Sequence, residues 1–206
     1  LVEASFNTIS MYQLMMLPGT ELNTELTRKK FKMKTKYRVL PRCFGHFSVF
    51  EKEYCVAEIE EILISNSTLS FDDYLKGRKL DFFVNVFYND AVLEDLFILL
   101  RKLNISIWEW IFYLFENYEE FKFKNLVDLF LQDTKNELST KKALEKIISK
   151  KSNILKFING DLGNNLMFKF KSLSLTQFAE EMFEMVETLT LRFLKDNNSF
   201  VENTEM

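Results

Sequence analysis

The spacing of apolar residues changes near Ser70, and this change constrains the fold more than any other feature of the sequence. From there on, apolar side chains recur every three or four residues, as on the buried face of an amphipathic helix. This spacing predicts helices over residues 70–87, 91–103, 106–118, 124–136, 139–158 and 176–195. Residues 165–171 fit a helix less clearly and are also assigned to one.

Local signals support the ends of these helices. Ser70 and Ser106 can act as N-caps, and two aspartates stand in the positive first turn of the helix that follows Ser70. The pair Asn159-Gly160 predicts the end of a helix. The polar residues 196–206 are expected to fray.

A strand, a turn and a helix are predicted close to the start of the sequence. Residues 9–17 are almost entirely apolar, which is typical of a strand covered on both faces. Pro18 and Gly19 suit the two central positions of a type II turn. We expect a helix over residues 21–30, with Thr20 as its N-cap.

The residues that follow alternate between apolar and basic side chains. Residues 31–39 therefore predict an extended segment with one basic face, ended by Pro41, and residues 58–65 favour a second strand. With 22 Phe but only 5 Gly and 2 Pro, the chain has many core-filling residues and few chain breakers. We therefore predict a mainly α (α+β) fold, with a small mixed region over 1–69 and a helical bundle domain over 70–206.

Cysteine usage and hydropathy indicate where the chain works. Two cysteines are too few for a disulfide scaffold, and no leader peptide is recognisable, so a reducing cytoplasm is expected. The most apolar stretch, residues 105–115, is shorter than the ~20 residues that a spanning helix needs. A buried helix is the favoured interpretation, and no membrane association is expected. The same interpretation applies to Trp108 and Trp110, which could otherwise line a groove for a partner.

Residues 26–50 hold eight basic side chains and no acidic one. Clustered lysine and arginine can bind nucleic acid, but single-strand binding also needs aromatic side chains for stacking. Phe31 and Tyr37 fall on the face opposite the lysines. The pattern therefore favours a solvent-facing basic strand paired with the acidic helical part, and disfavours nucleic-acid binding.

Few residues suggest catalysis or metal binding. Cys43 and His46 lie close in sequence, but one thiol and one imidazole do not make a metal site. Cys55 lies twelve residues after Cys43 and has no further Cys or His beside it. A Cys–His pair for nucleophilic catalysis is conceivable from the same residues. No glycine-rich nucleotide loop is present. We predict no catalytic residue and no metal ligand.

Several segments together resemble a known family. Residues 17–22, LPGTEL, follow an apolar strand and resemble the P-G-T-x-L signature near the last strand of the radical S-adenosylmethionine barrel. YQLMMLPGTEL, KTKYRVLPRCFG, EIEEILISNSTLSFDDY and FFVNVFYN together resemble cobalamin-binding radical S-adenosylmethionine proteins, downstream of their catalytic core. The resemblance covers about residues 9–90.

The resemblance implies that residues 1–69 are the remnant of an α/β barrel, and that the helical domain covers the barrel mouth or docks a partner. In the family, a C-x₃-C-x₂-C motif holds a [4Fe–4S] cluster that binds S-adenosylmethionine, and this sequence has no such motif. The chain, which begins at Leu1 rather than at a methionine, is therefore expected to be the C-terminal segment of a larger enzyme. Its expected partners are the radical barrel and the cobalamin-binding domain.

The resemblance also implies candidate site residues. Leu17, Gly19 and Thr20 would lie where the family's last strand flanks the adenosine, since ligands of parallel α/β barrels sit at the C-terminal ends of strands. The alternative is that these residues only form the turn. Arg38 and Arg42 are candidates for binding an anionic substrate or the carboxylate of the cofactor.

A non-enzymatic helical protein-interaction module remains a second hypothesis for the function. It predicts that the chain binds a protein partner without iron or S-adenosylmethionine. In either case, a strand that has lost its barrel has no neighbours to pair with. Residues 9–17 are therefore expected to pair with residues 58–65, or with a second copy in a homo-oligomer that uses the exposed barrel-facing surface.

Overall fold

The computed structural model describes residue 2 and residues 8–197. In this part of the chain it has nine α-helices and one antiparallel hairpin, which confirms the prediction of a mainly helical fold with a small β part. The strands are β1 (Lys34–Val49) and β2 (Lys52–Ser65). The helices are α1 (Glu25–Lys30), α2 (Phe71–Phe87), α3 (Glu94–Lys102), α4 (Ile107–Asn117), α5 (Lys124–Asn136), α6 (Lys141–Ile148), α7 (Lys151–Ile158), α8 (Leu166–Ser174) and α9 (Ala179–Asp196).

The chain divides into two compact units that are each assembled from separate stretches. Unit 1 takes its described residues from Leu1–Met11, Arg78–Phe130 and Phe170–Met206. Unit 2 consists of Tyr12–Gly77 and Leu131–Lys169. The division falls within α2, α5 and α8. A boundary near residue 70 stays a prediction, and most of the segment predicted to fray, 198–206, lies outside the described residues.

Unit 1 is built around phenylalanine rings. The fully buried ring of Phe82 stacks on Phe130 with 4.7 Å between centroids, and it meets Phe83 and Phe170 edge-on. Trp110 is also fully buried, and its indole N–H donates to Thr190 Oγ1 at 2.9 Å. The interpretation as a core residue is confirmed for Trp110 and wrong for Trp108, which is 37% exposed. No helix within the described ranges is long and apolar enough to cross a membrane.

Unit 2 contains the hairpin. The prediction that Pro41 ends the first strand is wrong, because the β1–β2 pairing is interrupted between Val39 and Phe44 and then resumes. Arg42 adopts φ +68° within this bulge. A bulge leaves residues unpaired, so a proline that lacks an N–H is tolerated there.

The short segment before α1 differs from its prediction. Residues 9–17 form no regular strand and are tied to β2 by the isolated antiparallel bridge Met15↔Ile62. The expected pairing with residues 58–65 is therefore confirmed at one bridge. The N-cap of α1 is Thr24, which accepts a hydrogen bond from Thr27 N, and not Thr20.

The long helix predicted over 139–158 is two helices, α6 and α7. The Ser149 hydroxyl donates to Lys146 O at 3.0 Å, and the amide of Asn153 donates to Ile147 O at 2.9 Å. These polar side chains take over the carbonyls at the end of α6, which allows the helix to stop. Ser70 and Ser106 act as N-caps as predicted.

Candidate functional site

The turn that the resemblance places beside a cofactor is exposed in unit 2. Leu17 is 52% exposed, and its carbonyl accepts a hydrogen bond of 2.8 Å from the Thr20 hydroxyl, so this threonine closes the turn. Gly19 has φ +82°, which favours glycine, and a Cβ added to it would meet no atom within 4 Å. The backbone of this turn is therefore open to a molecule from outside the described chain.

The residues just before this turn lie along the free edge of β2. Met16 N donates to Glu61 O at 2.9 Å, and Leu63 N donates to Leu14 O at 3.0 Å. The side chains that this edge segment (residues 12–17) shows to solvent are apolar, with Tyr12 87% and Leu14 46% exposed. An exposed apolar edge of this kind is rare on a surface that stays in water.

Arg38 lies in a buried ion network and not at a free surface. Its Nε is 2.5 Å from Glu60 Oε1, and its Nη1 is 3.0 Å from Glu137 Oε1. Burial by itself lowers the pKa of Arg38, but the carboxylates of Glu137 and Glu60 outweigh it and raise the pKa. The guanidinium is therefore already neutralised, which weighs against a role in binding a further anion.

The basic face of β1 also lies differently from the prediction. Lys36 and Arg38 stand directly opposite Ile62 and Glu60, which are both buried. Opposite residues of an antiparallel pair share a face, so the basic side of β1 lies over the buried cluster of unit 2. The expectation that this side faces solvent is wrong for Arg38, although its predicted pairing with the acidic helical part is confirmed by Glu137.

Arg42 has a different environment from Arg38. Its guanidinium carbon lies 4.9 Å from the centre of the Phe168 ring, an arrangement typical of a cation–π contact. The residue is exposed. Of the two candidate arginines, only Arg42 remains accessible to an anion.

The cysteine and histidine residues do not come together as a site. His46 is the cross-strand neighbour of Cys55, and its Nε2 contacts a carboxylate oxygen of Glu53, while Cys43 lies in the bulge of β1. Among the described residues, no group of three or more His, Cys, Asp or Glu side chains is placed to hold a metal ion.

One buried carboxylate stands out in unit 1. Asp81 is 4% exposed and accepts hydrogen bonds from Arg78 Nη1 at 2.8 Å and from the Asn85 amide at 2.8 Å. Burial raises the pKa of Asp81 to about 6, against the opposing effect of Arg78. Arg78 also lies over the Phe130 ring at 5.5 Å, so this group is packed within the phenylalanine core.

The sequence did not reveal a groove in unit 2 that carries four lysines. Lys32, Lys34 and Lys36 come from the end of α1 and the start of β1, and Lys135 comes from the last turn of α5. We call this feature the lysine groove. It has a volume of about 800 Å³ and is also lined by Ile64, Ser65, Asn66, Ser67, Leu69, Ser70, Phe71 and Leu138.

Alternating lysines were visible in the sequence, but their neighbours were not. The loop 65–70 lies about 30 residues after them and Lys135 about 100. No local spacing could bring these parts together. One signal in the sequence is the absence of any carboxylate between Leu26 and Phe50, which leaves these lysines without an ion-pair partner nearby in the sequence.

Comparison with known proteins gives no relative for this chain. No family model matches the sequence, and no curated protein or solved structure matches it at a significant level.

Proposed function

We propose that this chain is the C-terminal segment of a cobalamin-binding-type radical S-adenosylmethionine protein of the cytoplasm. Residues 1–69 would be the last part of its α/β barrel, and residues 70–206 a helical domain that covers the active site or docks a partner. The observation that carries the proposal is the edge segment at residues 12–17, which shows apolar side chains to solvent and ends in the Pro18-Gly19 turn.

The edge segment has the properties of a strand whose sheet continues elsewhere. One side is hydrogen-bonded to β2, and Asn23 Nδ2 holds the Met16 carbonyl at 2.9 Å. The outward side chains of Tyr12, Leu14 and Leu17 are left exposed. A neighbouring barrel strand would pair with the side of the segment that faces away from β2 and cover these side chains.

The cofactors of the family fit this chain unequally. A [4Fe–4S] cluster needs three thiolates at the family spacing, and only Cys43 and Cys55 are present, so these residues do not hold it and no step is routed through it. For S-adenosylmethionine the open backbone at Gly19 is suitable, because nothing in the described chain crowds it. Of the two candidate arginines, Arg42 is the accessible one for an anionic group. Cobalamin would be held by the separate cobalamin-binding domain of the family.

A pair of matched variants tests the proposal. Tyr12→Lys adds a charge to the edge segment, while Leu26→Lys adds one at another highly exposed apolar residue, 80% exposed in α1. We expect both to leave the melting temperature of the isolated chain unchanged. In the complete protein, only Tyr12→Lys should lower it, because only that side chain would be covered by the barrel.

The gene of the complete protein supplies an independent check. A C-x₃-C-x₂-C motif should precede these residues, and anaerobic reconstitution should then load iron with a cluster absorbance. A complete gene without that motif would sink the proposal, as would equal melting of the two lysine variants in the complete protein.

The tip of the hairpin favours the second candidate, a protein-interaction module. Phe50 is 96% exposed, and Phe50 and Glu51 both have positive φ, 47° and 63°. A two-residue turn of this type favours Asn-Gly, so the phenylalanine at this position opposes the backbone preference. Phe50→Asn/Glu51→Gly should stabilise the isolated chain and weaken, in calorimetry without iron or S-adenosylmethionine, its binding to a protein partner. Unchanged binding would remove this candidate.

A further inference from the structure

We propose that the lysine groove of unit 2 binds a small phosphorylated molecule that has an apolar part. This site is separate from the Leu17–Thr20 turn and does not depend on the proposed radical chemistry. It rests on the charge of the groove, its apolar floor and the rigidity of its walls.

The positive charge of the groove is uncompensated. Within the described part of the chain, none of the four lysines lies within 4.0 Å of a carboxylate, and no carboxylate lines the groove. Arg28 and Arg38, by contrast, are each neutralised by glutamates. Four like charges around one cavity repel one another, and an anion placed between them relieves that repulsion.

The floor of the groove is apolar. Leu69, Phe71 and Leu138 pack against the buried cluster of unit 2, which contains Ile62, Ile64, Tyr74 and Leu75. The Phe71 ring lies nearly parallel to Tyr74 at 5.7 Å, which fixes its orientation. A volume of about 800 Å³ is within the range of small-molecule sites.

The walls are held in place before any ligand arrives. Asn66 Oδ1 accepts from Thr68 N and Leu69 N at 2.8 and 2.9 Å, and Ser67 N donates to Phe31 O at 2.8 Å. The bonds to Asn66 order the loop internally, and the bond from Ser67 N ties it to the end of α1. The site therefore needs little ordering when it binds, which favours affinity.

Lys32 occupies a position that glycine would fill more easily. It follows the end of α1 with φ +51°, and Lys32 N and Met33 N donate to Lys29 O and Arg28 O. This hydrogen-bond pattern is the Schellman motif, whose left-handed residue is usually glycine. A lysine in this left-handed conformation destabilises the local backbone. It also adds a positive charge to the groove, as expected of a binding residue.

The chemistry of the rim points to phosphate. All four cations are lysines, which act as point charges, whereas planar carboxylates are best matched by the fork of an arginine. Ser65 and Ser67 add hydroxyl groups at the same rim. A phosphate against the lysines and an apolar group against Leu69 and Leu138 would use both halves of the groove.

Isothermal titration calorimetry of the full chain with three probes tests the assignment. 1-Naphthyl phosphate combines both groups, inorganic phosphate has only the charge, and 1-naphthol has only the apolar ring. We expect 1-naphthyl phosphate to bind at one site per chain and at least about tenfold tighter than either of the others, since both halves contribute. Equal affinity for 1-naphthol would overturn the proposal.

Charge-matched variants locate the binding. Lys34→Gln/Lys36→Gln should weaken 1-naphthyl phosphate binding by about tenfold or more, and Lys135→Gln from the opposite wall should also weaken it. Lys142→Gln/Lys146→Gln, which removes two exposed lysines of α6, should leave it unchanged. Equal losses in the two double variants would contradict a specific site.

A single-stranded RNA oligonucleotide is the competing macromolecular ligand. If RNA bound more tightly than 1-naphthyl phosphate, with steep salt dependence and through the same lysines, the small-molecule assignment would be wrong. These measurements need neither iron nor S-adenosylmethionine. Their failure would leave the proposed enzyme membership standing, and a missing cluster motif would leave the lysine groove standing.

Discussion

The two units of this chain are stabilised by different kinds of interaction. Unit 1 buries aromatic rings, with Phe82 and Phe130 at its centre and few charges inside. Unit 2 has a small apolar cluster around Ile62 and ion pairs on the two sides of its hairpin, Arg38 with Glu60 and Arg28 with Glu61. Ring packing is insensitive to charge, whereas the hairpin depends on matched charges.

This difference indicates which unit carries ligand-binding surface. The charges of unit 1 that are buried, Arg78 and Asp81, face each other. Unit 2 pairs its buried charges, leaves the four lysines of the groove without an ion pair in the described residues, and exposes apolar side chains along the edge segment. The turn at Leu17–Thr20 and the lysine groove both lie in unit 2.

The largest expected effect is on the ring core of unit 1. Phe82→Ala should lower the free energy of unfolding by about 3–5 kcal/mol, because it removes a fully buried ring and leaves a cavity. Phe183→Ala, in α9 and 48% exposed, is the control and should cost less than about 1 kcal/mol. Urea unfolding followed by circular dichroism measures both, and similar losses would contradict a ring-based core.

The next effect tests whether unit 2 depends on matched charges. Arg38→Met should destabilise the chain by about 3 kcal/mol, since it leaves Glu60 and Glu137 close together and poorly solvated. Lys29→Met breaks an ion pair whose side chains are 80% and 89% exposed, and should have almost no effect. If Arg38→Met left the free energy of unfolding unchanged in the same urea assay, the ion network would be dispensable for stability.

The buried carboxylate of unit 1 gives that unit its own pH dependence. Because Asp81 holds its proton up to about pH 6 when folded but only to 3.8 when unfolded, the folded state binds more protons between these values. Stability should therefore fall as pH rises through this window, by about 2 kcal/mol relative to Asp81→Asn, which cannot ionise. Unfolding curves at pH 4 and pH 7 measure the difference.

Asp73 in unit 2 gives stability the opposite dependence on pH. Hydrogen bonds from Ser70 lower the pKa of this carboxyl group, so its contribution is present above its unfolded value and is lost as pH falls. The wild type should gain stability relative to Asp73→Asn as pH rises through the acidic range. If the stability of the wild type and that of Asp73→Asn changed equally with pH, the lowered pKa of Asp73 would be contradicted.

The smallest effect concerns Lys32 in the lysine groove. Lys32→Gly should stabilise unit 2 by about 1 kcal/mol, since glycine accepts the left-handed backbone, and should weaken 1-naphthyl phosphate binding. Lys146→Gly, inside α6, is the matched control and should destabilise by about 1 kcal/mol. If Lys32→Gly leaves the binding of 1-naphthyl phosphate unchanged, this lysine does not contribute to ligand binding in the groove.

Much of the helical structure could be predicted because its signals are local. Ser106 caps α4 and Gly160 follows the end of α7, as the sequence indicated. The prediction failed where a longer-range or side-chain effect intervened. The bulge carries β1 past Pro41, and the side chains of Ser149 and Asn153 divide a predicted helix in two.

The candidate sites were predictable only in part. Gly19 has the left-handed conformation that its turn signal indicated. Arg38 was also a candidate for binding an anionic ligand, because the two glutamates that neutralise it lie 22 and 99 residues away and could not be identified from the sequence. A charge can be counted from sequence, but whether it is paired depends on contacts across the fold.

The sequence by itself determined most of the helices, the caps at Ser70 and Ser106 and the basic character of residues 26–50, because these depend on neighbours within a few positions. Only the tertiary structure decided that Arg38 is neutralised while Lys34 and Lys36 face a groove with Lys135. The physical reason is burial: packing around Ile62 and Tyr74 brings distant segments together, and this packing selects which charges find partners.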